Sequence, residues 1–481
     1  MHAPLPKNTQ ASPPRRALIL AALLLFSANF AFQYPGELNN DAKWQYEQAV
    51  AGQYSDWHPP IMAWLWSQVR HVVDGPSGML ALQLGFQWLG FGLIADGLMR
   101  QGKVRSAWLV LISGFFPVLL FYDGMVIKDV GMASALVAAF GLAFRYRIVE
   151  EPVPVPALAV AVLLIAYATL VRTNAIFALG PIFLYVLVPR AKSLNIPMQV
   201  LITFALAALA LPLSSLINRD VFKAAPSGAF QSLELFDLNG IAHQSGDATI
   251  FPPEAGFTDA ELARCYTPYW WDTVSSWGVC DFAWKRLGPD DSPARKALTH
   301  RWLMSVAEHP IFYLEHRLKV FNSLLYFLVP ARHCRYAPGC DWLHGADGSF
   351  QAQVVGPEQV RSDYLKKNFL VWPVTWLVIG GAFLWFSTRI ENIQFSAASR
   401  ALVLSGLLYL SLMFFVGVAT EIRYAYWSIM SVLLAVIVSF DEVRRIFDLR
   451  NNLDFLCVSA LAVTILAGMI ARLTNLTLFV T

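Results

Sequence analysis

The sequence predicts an all-α polytopic membrane protein, and three observations lead to that fold class. Hydrophobic residues make up 56% of the 481 residues and charged residues only 14%, against roughly 25% charged residues in a soluble globular protein. The mean hydropathy is +0.49. Eleven apolar stretches have a length close to the roughly 20 residues that a helix needs to cross a bilayer. Lipid, rather than a polar surface, is therefore expected to cover much of the chain.

The eleven predicted spans begin near the N-terminus. Before the first span stands Pro13-Pro14-Arg15-Arg16. A basic start followed by an apolar run also fits a signal peptide, but no clear small-x-small cleavage site follows, so an uncleaved anchor is favoured. The predicted spans are 17–33, 76–99, 107–123, 130–145, 157–172, 174–189, 197–217, 369–387, 401–419, 425–440 and 453–472.

The distribution of Lys and Arg predicts the orientation of these spans. With the N-terminus in the cytoplasm, the inner segments hold 15 Lys and Arg residues and the short outer segments hold 6. Cytoplasmic loops carry an excess of positive charge. The N-terminus is therefore predicted to be cytoplasmic and the C-terminus extracytoplasmic, in a bacterial inner membrane.

The spans divide the chain into three predicted parts. Residues 1–217 form an N-terminal transmembrane module, whose first outer loop, 33–75, contains two interfacial helices. Residues 218–368 form an extracytoplasmic, α-rich loop domain with a long helical stretch around 293–329. Residues 369–481 form a C-terminal module of about four spans.

Cysteine usage supports an oxidising compartment for the loop domain. Cys265, Cys280, Cys334 and Cys340 lie in it, and Cys457 lies alone in the last span. An even set in such a compartment predicts two disulfides, with 265–280 and 334–340 as local pairs. Zinc is the alternative, but the spacings lack the closely paired cysteines of structural zinc sites.

The first outer loop contains two candidate functional motifs. Asp41 follows two asparagines at a helix start, where it could cap the helix or accept a proton from an incoming hydroxyl. Ser55-Asp56-Trp57-His58-Pro59-Pro60 comes next. Ser55 or Asp56 could cap the following helix, or the motif could hold His58 and a carboxylate at the lipid–water boundary.

More charged residues lie at the predicted outer ends of later spans. Asp123, Lys128 and Asp129 stand in a very short loop, either as a neutralising ion pair or as a functional group, because ionisable residues at such depth are costly. Arg172 and Arg423 are either interface anchors or a phosphate clamp.

The loop domain also has a dense aromatic stretch around its first predicted disulfide. Packing of a small domain is the default explanation, and stacking on an acceptor is the alternative. The residues are Tyr266, Tyr269, Trp270, Trp271, Trp277 and Trp284.

Together these motifs resemble the GT-C class of integral-membrane glycosyltransferases, the protein mannosyltransferase and aminoarabinose transferase superfamily. The likeness covers most of the chain in layout, through short motifs. Two departures stand out: Ala-Tyr-Trp-Ser follows Arg423-Tyr424 instead of a proline-rich stretch, and the soluble part precedes span eight. The resemblance rests on Asp41, Asp56-Trp57-His58-Pro59-Pro60, Lys128-Asp129, Arg172, Glu308–Arg317 and Glu421-Ile422-Arg423-Tyr424.

The resemblance implies transfer of a sugar from a polyprenyl-phosphate donor to an envelope glycan, lipid or protein on the outer face. Asp41 maps onto the catalytic base, with His58 in the same pocket. Asp129, or Asp123, maps onto the carboxylate that supports the acceptor or, in some members, a divalent metal; no cofactor is certain. The implied phosphate ligands are Arg172, Arg423 and Lys128, and the implied acceptor or sugar contacts are Asp56, Trp57, Asp123, Glu421 and Tyr424.

The sequence also bears on three other functional classes. A net charge of +3 without a basic aromatic ladder gives no reason to expect a nucleic-acid partner. A lipid-linked-sugar transporter or flippase predicts polar residues near the bilayer midplane, in broken helices. An O-antigen ligase or polymerase would use arginines and a histidine of the large outer loop, for which His243, His300, His309 and His316 are candidates.

Overall fold

The computed structural model confirms that apolar helices dominate the chain. It describes residues 13–188, 194–288, 292–330, 340–344, 350–354, 368–447 and 451–476. The N-terminal module contains α1 (Pro13–Gln33), α2 (Asn40–Ala51), α3 (Ile61–Val69), α4 (Ser77–Arg100), α5 (Val104–Ser113), α6 (Pro117–Asp123), α7 (Lys128–Arg147), α8 (Val155–Val171), α9 (Ile176–Leu187) and α10 (Ile196–Leu216).

The rest of the chain adds a loop domain and a second group of apolar helices. The loop domain contains α11 (Gln231–Ser245), α12 (Asp259–Cys265), α13 (Asp281–Arg286), α14 (Pro293–Glu308), α15 (Pro310–Leu325) and a hairpin of β1 (Cys340–His344) and β2 (Phe350–Val354). The C-terminal module contains α16 (Pro373–Ser387), α17 (Ile393–Val416), α18 (Tyr426–Val438), α19 (Phe440–Ile446) and α20 (Asn452–Leu473).

Six of the described helices are long and apolar enough to cross a membrane: α1, α4, α7, α10, α17 and α20. Two more candidate spans are bent pairs, α5 with α6 at 47° and α18 with α19 at 67°. Shorter apolar helices coincide with the remaining predicted spans, at α8, α9 and α16. The chain is a multi-pass membrane protein with six spans, or up to eight with the bent pairs, by length and composition; eleven stays a prediction.

The N-terminal module is organised around the pair of α4 and α7. A Cβ added to Gly90 would lie 2.7 Å from the backbone of Val137, and one added to Gly141 would lie 2.7 Å from the Gly90 carbonyl oxygen. Small residues at these points let the two backbones approach closely, as in membrane helix pairs. Most of α7 is buried by its neighbours, so it forms the centre of the bundle.

The loop domain has a core of its own, built around α11. Leu235, Phe236 and Ile241 are fully buried there. The Cys265–Cys280 disulfide lies against the same core, which confirms that predicted pair. The predicted 334–340 pair falls outside the described residues, since Cys334 is not described and Cys340 is described only as the first residue of β1.

The helical stretch predicted around 293–329 is divided in the structure. The stretch is two helices, α14 and α15, separated at His309, whose φ of −125° and ψ of 50° are not helical. Pro310 explains the break, because proline has no N–H and its ring disfavours a helical conformation in the preceding residue. The β1–β2 hairpin was not anticipated either.

Three short backbone pairings connect the loops at one end of the bundle. Glu37 pairs with Met125, Ser55 with Ala225, and Trp270 with Ala419. We call this the site end; α1, α6 and α8 finish there and α4 and α7 begin there. At the opposite end, Asp96 forms ion pairs with Arg15 and Arg145.

Candidate active site

Asp41 lies in the first turn of α2, but it is not the helix cap. Asn39 takes that role, since its side chain accepts a hydrogen bond from the Ala42 N–H at 2.9 Å. The Asp41 carboxylate is therefore available for other contacts. It faces Arg423, whose Nη1 donates to Asp41 Oδ2 at 2.8 Å.

His58 joins Asp41 to Lys128. The Lys128 Nζ lies 2.7 Å from His58 Nδ1, and an ammonium group can only donate, so Nδ1 is the acceptor. The imidazole then carries its hydrogen on Nε2, which lies 3.9 Å from Asp41 Oδ1. Burial, together with the charge of Lys128, lowers the pKa of His58 to about 3, so the ring is neutral at physiological pH.

The charge state of Asp41 results from two opposed effects. Burial alone would raise the pKa of Asp41, but the positive charges of Arg423 and Lys128 outweigh it and hold this pKa well below its usual value. The carboxylate is therefore ionised at physiological pH. Its side chain is still 29% exposed, so a substrate group can reach it.

Arg172 and Asp129 form a second, more deeply buried pair beside this one. Asp129 lies in the first turn of α7, where a carboxylate is favoured by the helix dipole, and it forms an ion pair with Arg172. The Arg172 guanidinium lies 4.7 Å from the centroid of the Tyr424 ring, a cation–π distance. Lys128 and Asp129 are thus each matched with another residue, which argues against the simple neutralising pair considered from the sequence.

Arg423 connects the two pairs. Its Nε lies 2.6 Å from Glu421 Oε2, and its guanidinium lies 5.3 Å from the Tyr424 ring centroid. Arg423 is thus bracketed by Glu421 on one side and Asp41 on the other. We call Asp41, His58, Lys128, Asp129, Arg172, Glu421, Arg423 and Tyr424 the site cluster.

Asp123 does not join the site cluster. It is fully buried and accepts hydrogen bonds from Asn29 Nδ2 at 2.7 Å, Gln87 Nε2 at 3.0 Å and the Tyr426 hydroxyl at 2.8 Å. Asp123 therefore does not lie at the outer membrane surface, where its short loop was predicted to place it, and its implied acceptor contact is not available in this structure. The turn after α6 is held by Glu37, whose N–H donates to the Gly124 carbonyl at 2.7 Å, and the carboxylate lies within the bundle.

Asn29 and Gln87 were missed by the sequence analysis as functional candidates. Both are fully buried polar residues in otherwise apolar spans. A buried amide in lipid is costly unless it is hydrogen-bonded. The signal in the sequence was therefore a polar amide within an apolar span. It indicates that each amide has a buried polar partner, such as Asp123.

Asp56 and Trp57 lie beside the site cluster and attach it to the loop domain. Asp56 Oδ1 accepts hydrogen bonds from the Ser227 N–H at 2.7 Å and the Ser227 Oγ at 2.5 Å. It does not cap α3, whose N-cap position is Pro60 without a side-chain hydrogen bond. Trp57 packs against Trp271 of the loop domain, with 5.5 Å between ring centroids.

The carboxylates of the site cluster do not fit a divalent metal as they stand. Asp41 and Asp129 each face an arginine, so their charge is already compensated. Within the described part of the chain, no three His, Cys, Asp or Glu side chains are grouped as metal ligands. The arrangement instead offers a partly exposed carboxylate, Asp41, next to the three cations Lys128, Arg172 and Arg423.

Two of the four candidate histidines of the loop domain, His243 and His316, pack inside the domain, whereas His300 is exposed and His309 is half-buried. His316 is fully buried, with its Nδ1 3.1 Å from the Tyr266 hydroxyl and its Nε2 3.5 Å from Asp237 Oδ1. His243 stacks on the Tyr266 ring at 4.2 Å. The neighbouring Arg317 is fully buried too, so this arginine–histidine group belongs to the core of the domain.

Comparisons with known proteins give one kind of match. No protein-family model matches the sequence, and no curated protein matches it. Among solved structures, the chain is similar to the archaeal oligosaccharyltransferase AglB from Archaeoglobus fulgidus in complex with an inhibitory peptide and a dolichol-phosphate, with 15% identity and a TM-score of 0.37. A second structure of the Archaeoglobus fulgidus oligosaccharyltransferase, tethered to an acceptor peptide, shows 13% identity and a TM-score of 0.37. Each match covers 95% of this chain and 54% of the other, so the chain spans about half the length of these proteins.

Proposed function

We propose that this protein is an integral-membrane glycosyltransferase that moves a sugar from a polyprenyl-phosphate donor to a hydroxyl group of an envelope acceptor. The observation that carries the proposal is the contact between Asp41 and Arg423. These residues are 382 positions apart in sequence, yet they meet at 2.8 Å. A base and a phosphate-binding cation are the two groups that this transfer needs, and they share one site.

The base acts on the acceptor. Asp41 takes the proton of the acceptor hydroxyl, and the oxygen attacks the anomeric carbon of the donor sugar. Positioned general bases contribute about 10²- to 10⁴-fold to such reactions. Neutral His58 lies beside this carboxylate, with 3.9 Å between its Nε2 and Asp41 Oδ1, and adds no charge of its own to the site.

The cations act on the leaving group. As the bond between the anomeric carbon and the phosphate oxygen breaks, the electron pair stays with the phosphate and its negative charge grows. Arg423, Arg172 and Lys128 converge at the helix ends where a lipid phosphate would sit. Preorganised positive charge of this kind is usually the largest single contribution to lowering such a barrier.

The pairing of Asp41 with Arg423 also accounts for activation of the base. A carboxylate held by an arginine is ionised but weakly basic. A donor phosphate at Arg423 competes with Asp41 for the guanidinium and so restores the basicity of Asp41. The proposal therefore has the donor bind before proton transfer from the acceptor.

The reaction is proposed to take place on the extracytoplasmic face, as the Lys and Arg distribution predicts. The site cluster lies where α7 begins and α8 ends. A headgroup-level site would meet a lipid-linked donor without extracting its chain from the bilayer.

The test is transfer by the purified protein in nanodiscs. The donors are undecaprenyl phosphates carrying a radiolabelled hexose or pentose, and the acceptor is an envelope extract. Asp41→Asn is expected to lower the transfer rate by about 10²- to 10⁴-fold. Asp74→Asn is the matched control, because Asp74 is an exposed carboxylate of the same loop that pairs with Arg70, and it should transfer at the wild-type rate. Full activity of Asp41→Asn would contradict the proposal.

A further inference from the structure

A row of tryptophans leads away from the site cluster. The Trp44 ring meets the His58 ring edge-on, with 5.8 Å between centroids. Trp44 lies 6.4 Å from Trp57, and Trp57 lies 5.6 Å from Trp277. We call Trp44, Trp57 and Trp277 the tryptophan ladder. It begins next to the proposed base and ends on the loop domain.

The middle of the ladder packs against two other tryptophans of the loop domain. Trp57 packs on Trp271 and Trp284, at 5.5 and 6.2 Å between ring centroids. Trp271 is buried, and the Cys265–Cys280 disulfide closes the segment that carries it. The position of Trp57, the middle member of the ladder, is therefore fixed by this packing.

The two ends of the ladder are open. Trp44 is 43% exposed and Trp277 is 54% exposed. The Trp277 ring is nevertheless held in one orientation, since its Nε1 donates to Asp272 Oδ1 at 3.1 Å. Large exposed apolar surface with a fixed shape marks an interaction site more often than a random surface does.

The surroundings of the ladder favour a carbohydrate as its occupant. The C–H face of a pyranose ring is apolar and flat, and it matches an indole face, while its hydroxyls need hydrogen-bond acceptors. Asp272 accepts a hydrogen bond from Trp277, and Asp56, which binds Ser227 through Oδ1, directly precedes Trp57 in the sequence. An anionic lipid headgroup would be repelled by these carboxylates, whereas neutral sugar hydroxyls can donate to them.

We infer that the tryptophan ladder is the acceptor subsite and that it binds the pyranose rings of a glycan acceptor by stacking. The inference rests on the proposed transferase function and narrows its acceptor to a carbohydrate. A glycan on the ladder would bring one hydroxyl past His58 to Asp41. The exposed ends allow the chain of sugars to continue beyond Trp277 into solvent.

Binding is measured in the Asp41→Asn background, so that transfer cannot consume the ligand. The probes are soluble hexose tetrasaccharides of α and β linkage, and the readouts are calorimetry and quenching of tryptophan fluorescence. Trp277→Ala and Trp44→Ala should each weaken tetrasaccharide binding by about tenfold. Trp277→Phe, which keeps an aromatic face, should recover part of the affinity.

Trp64→Ala is the control. Trp64 is 40% exposed and lies in α3, where it contacts Phe222 instead of the ladder, so its removal should leave tetrasaccharide binding unchanged. Unchanged tetrasaccharide binding in both ladder variants would overturn the inference. So would variants that lose protein stability in nanodiscs but keep tetrasaccharide binding, because membrane-interface anchors behave in that way. Absence of tetrasaccharide binding to the parent would also overturn it, whereas the transferase proposal is decided separately by the rates of Asp41→Asn and Asp74→Asn.

Discussion

At the scale of single residues, the proposed function gives Arg423 two tasks that oppose each other. Arg423 pairs with Asp41 in the resting protein, and in the proposed transfer it also binds the donor phosphate. Burial alone would raise the pKa of Asp41, and the charges of Arg423 and Lys128 are the two largest effects that lower it. The base and the phosphate site are therefore coupled through one guanidinium.

This coupling predicts a change in the pH dependence of transfer. Activity needs ionised Asp41, so it falls as the pH drops through the pKa of that group. Arg423→Gln removes a positive charge that lowers this pKa, and the acid limb of kcat/KM should move to higher pH, with a higher donor KM. The profile of kcat/KM is the relevant measurement because it reports groups of the free enzyme.

Arg70→Gln provides the comparison for this experiment. Arg70 lies in the same outer loop and pairs with exposed Asp74. Its variant should retain the acid limb and donor KM of the parent. An Arg423→Gln profile that superimposes on the wild-type profile would remove Arg423 from control of Asp41.

Sequence reasoning at this scale worked where a charged residue lies at a helix end. Asp41, His58, Asp129, Arg172 and Arg423 were proposed as one pocket, and their side chains lie together in the structure. It failed for Asp123, which has the same residue type in the same short loop. Asp123 is buried because Glu37 pairs with the turn that follows it and because polar residues of other spans bind its carboxylate. Such long-range contacts leave no local pattern in the sequence.

At the scale of elements, the segment before Arg423 is held by the loop domain. The Trp271 N–H donates to the Val418 carbonyl at 2.9 Å, and Thr420 Oγ1 donates to the Tyr269 carbonyl at 3.1 Å. Arg317 completes the attachment, because its Nη1 donates to the Gly417 carbonyl at 2.7 Å. The position of Arg423 thus depends on how α15 and the loop domain dock on the bundle.

The buried pair of Arg317 and Asp237 should dominate the stability of this docking. Their side chains are fully buried with 2.5 Å between Nη2 and Oδ1. Arg317→Met leaves the carboxylate uncompensated and should lower the free energy of unfolding by about 3–5 kcal/mol. Thermal unfolding of the protein in nanodiscs measures the loss.

Two further variants make the docking prediction specific. Arg317→Met combined with Asp237→Leu removes both charges and should recover much of the stability, since a well-packed apolar pair can replace a buried ion pair. Lys285→Met breaks only an exposed pair with Asp281 and should cost about 0–1 kcal/mol. An equal loss in all three variants would show that the buried pair has no special role.

The elements themselves were largely predictable. Apolar runs gave the positions of the membrane helices, and the two asparagines before Asp41 gave the start of α2. The break before α15 was not predicted, although Pro310 explains it. Bends were not predictable to the same degree. The 67° angle after Val438 arises without a proline in the sequence Val438-Ser439-Phe440. Ser439 lies at the bend and forms a side-chain hydrogen bond with Ser399 of another helix, a contact that the local sequence does not reveal.

At the scale of the whole molecule, the two ends of the helix bundle differ in kind. The site end combines the site cluster, the tryptophan ladder and the disulfide-bonded loop domain. The opposite end contains surface ion pairs such as Arg100 with Glu151 and Lys103 with Glu442. The proposed transfer from one side of the membrane is consistent with this asymmetry.

The orientation is tested by introducing one additional cysteine at a time into a Cys457→Ser parent, which keeps the four cysteines of the loop domain. Lys43→Cys, on exposed α2 at the site end, should react with a membrane-impermeant maleimide on intact cells. Arg105→Cys, exposed at the start of α5 at the opposite end, should react only after permeabilisation. The parent gives the signal of the remaining cysteines, and the reverse labelling pattern would place the site end in the cytoplasm.

The ion pairs of Asp96 have a consequence for biogenesis. Asp96 lies in the fourth helix of the chain, and its two arginines come from the first and seventh helices. When α4 leaves the ribosome, Arg15 has already been synthesised and Arg145 has not. Helix α1 can therefore pair Arg15 with Asp96 while α4 inserts into the lipid, and this pair can persist until Arg145 of α7 has been synthesised. A chain whose first helix was replaced by an apolar segment without arginine would be expected to stall at this stage of insertion and to be degraded, even though its site end is unaltered.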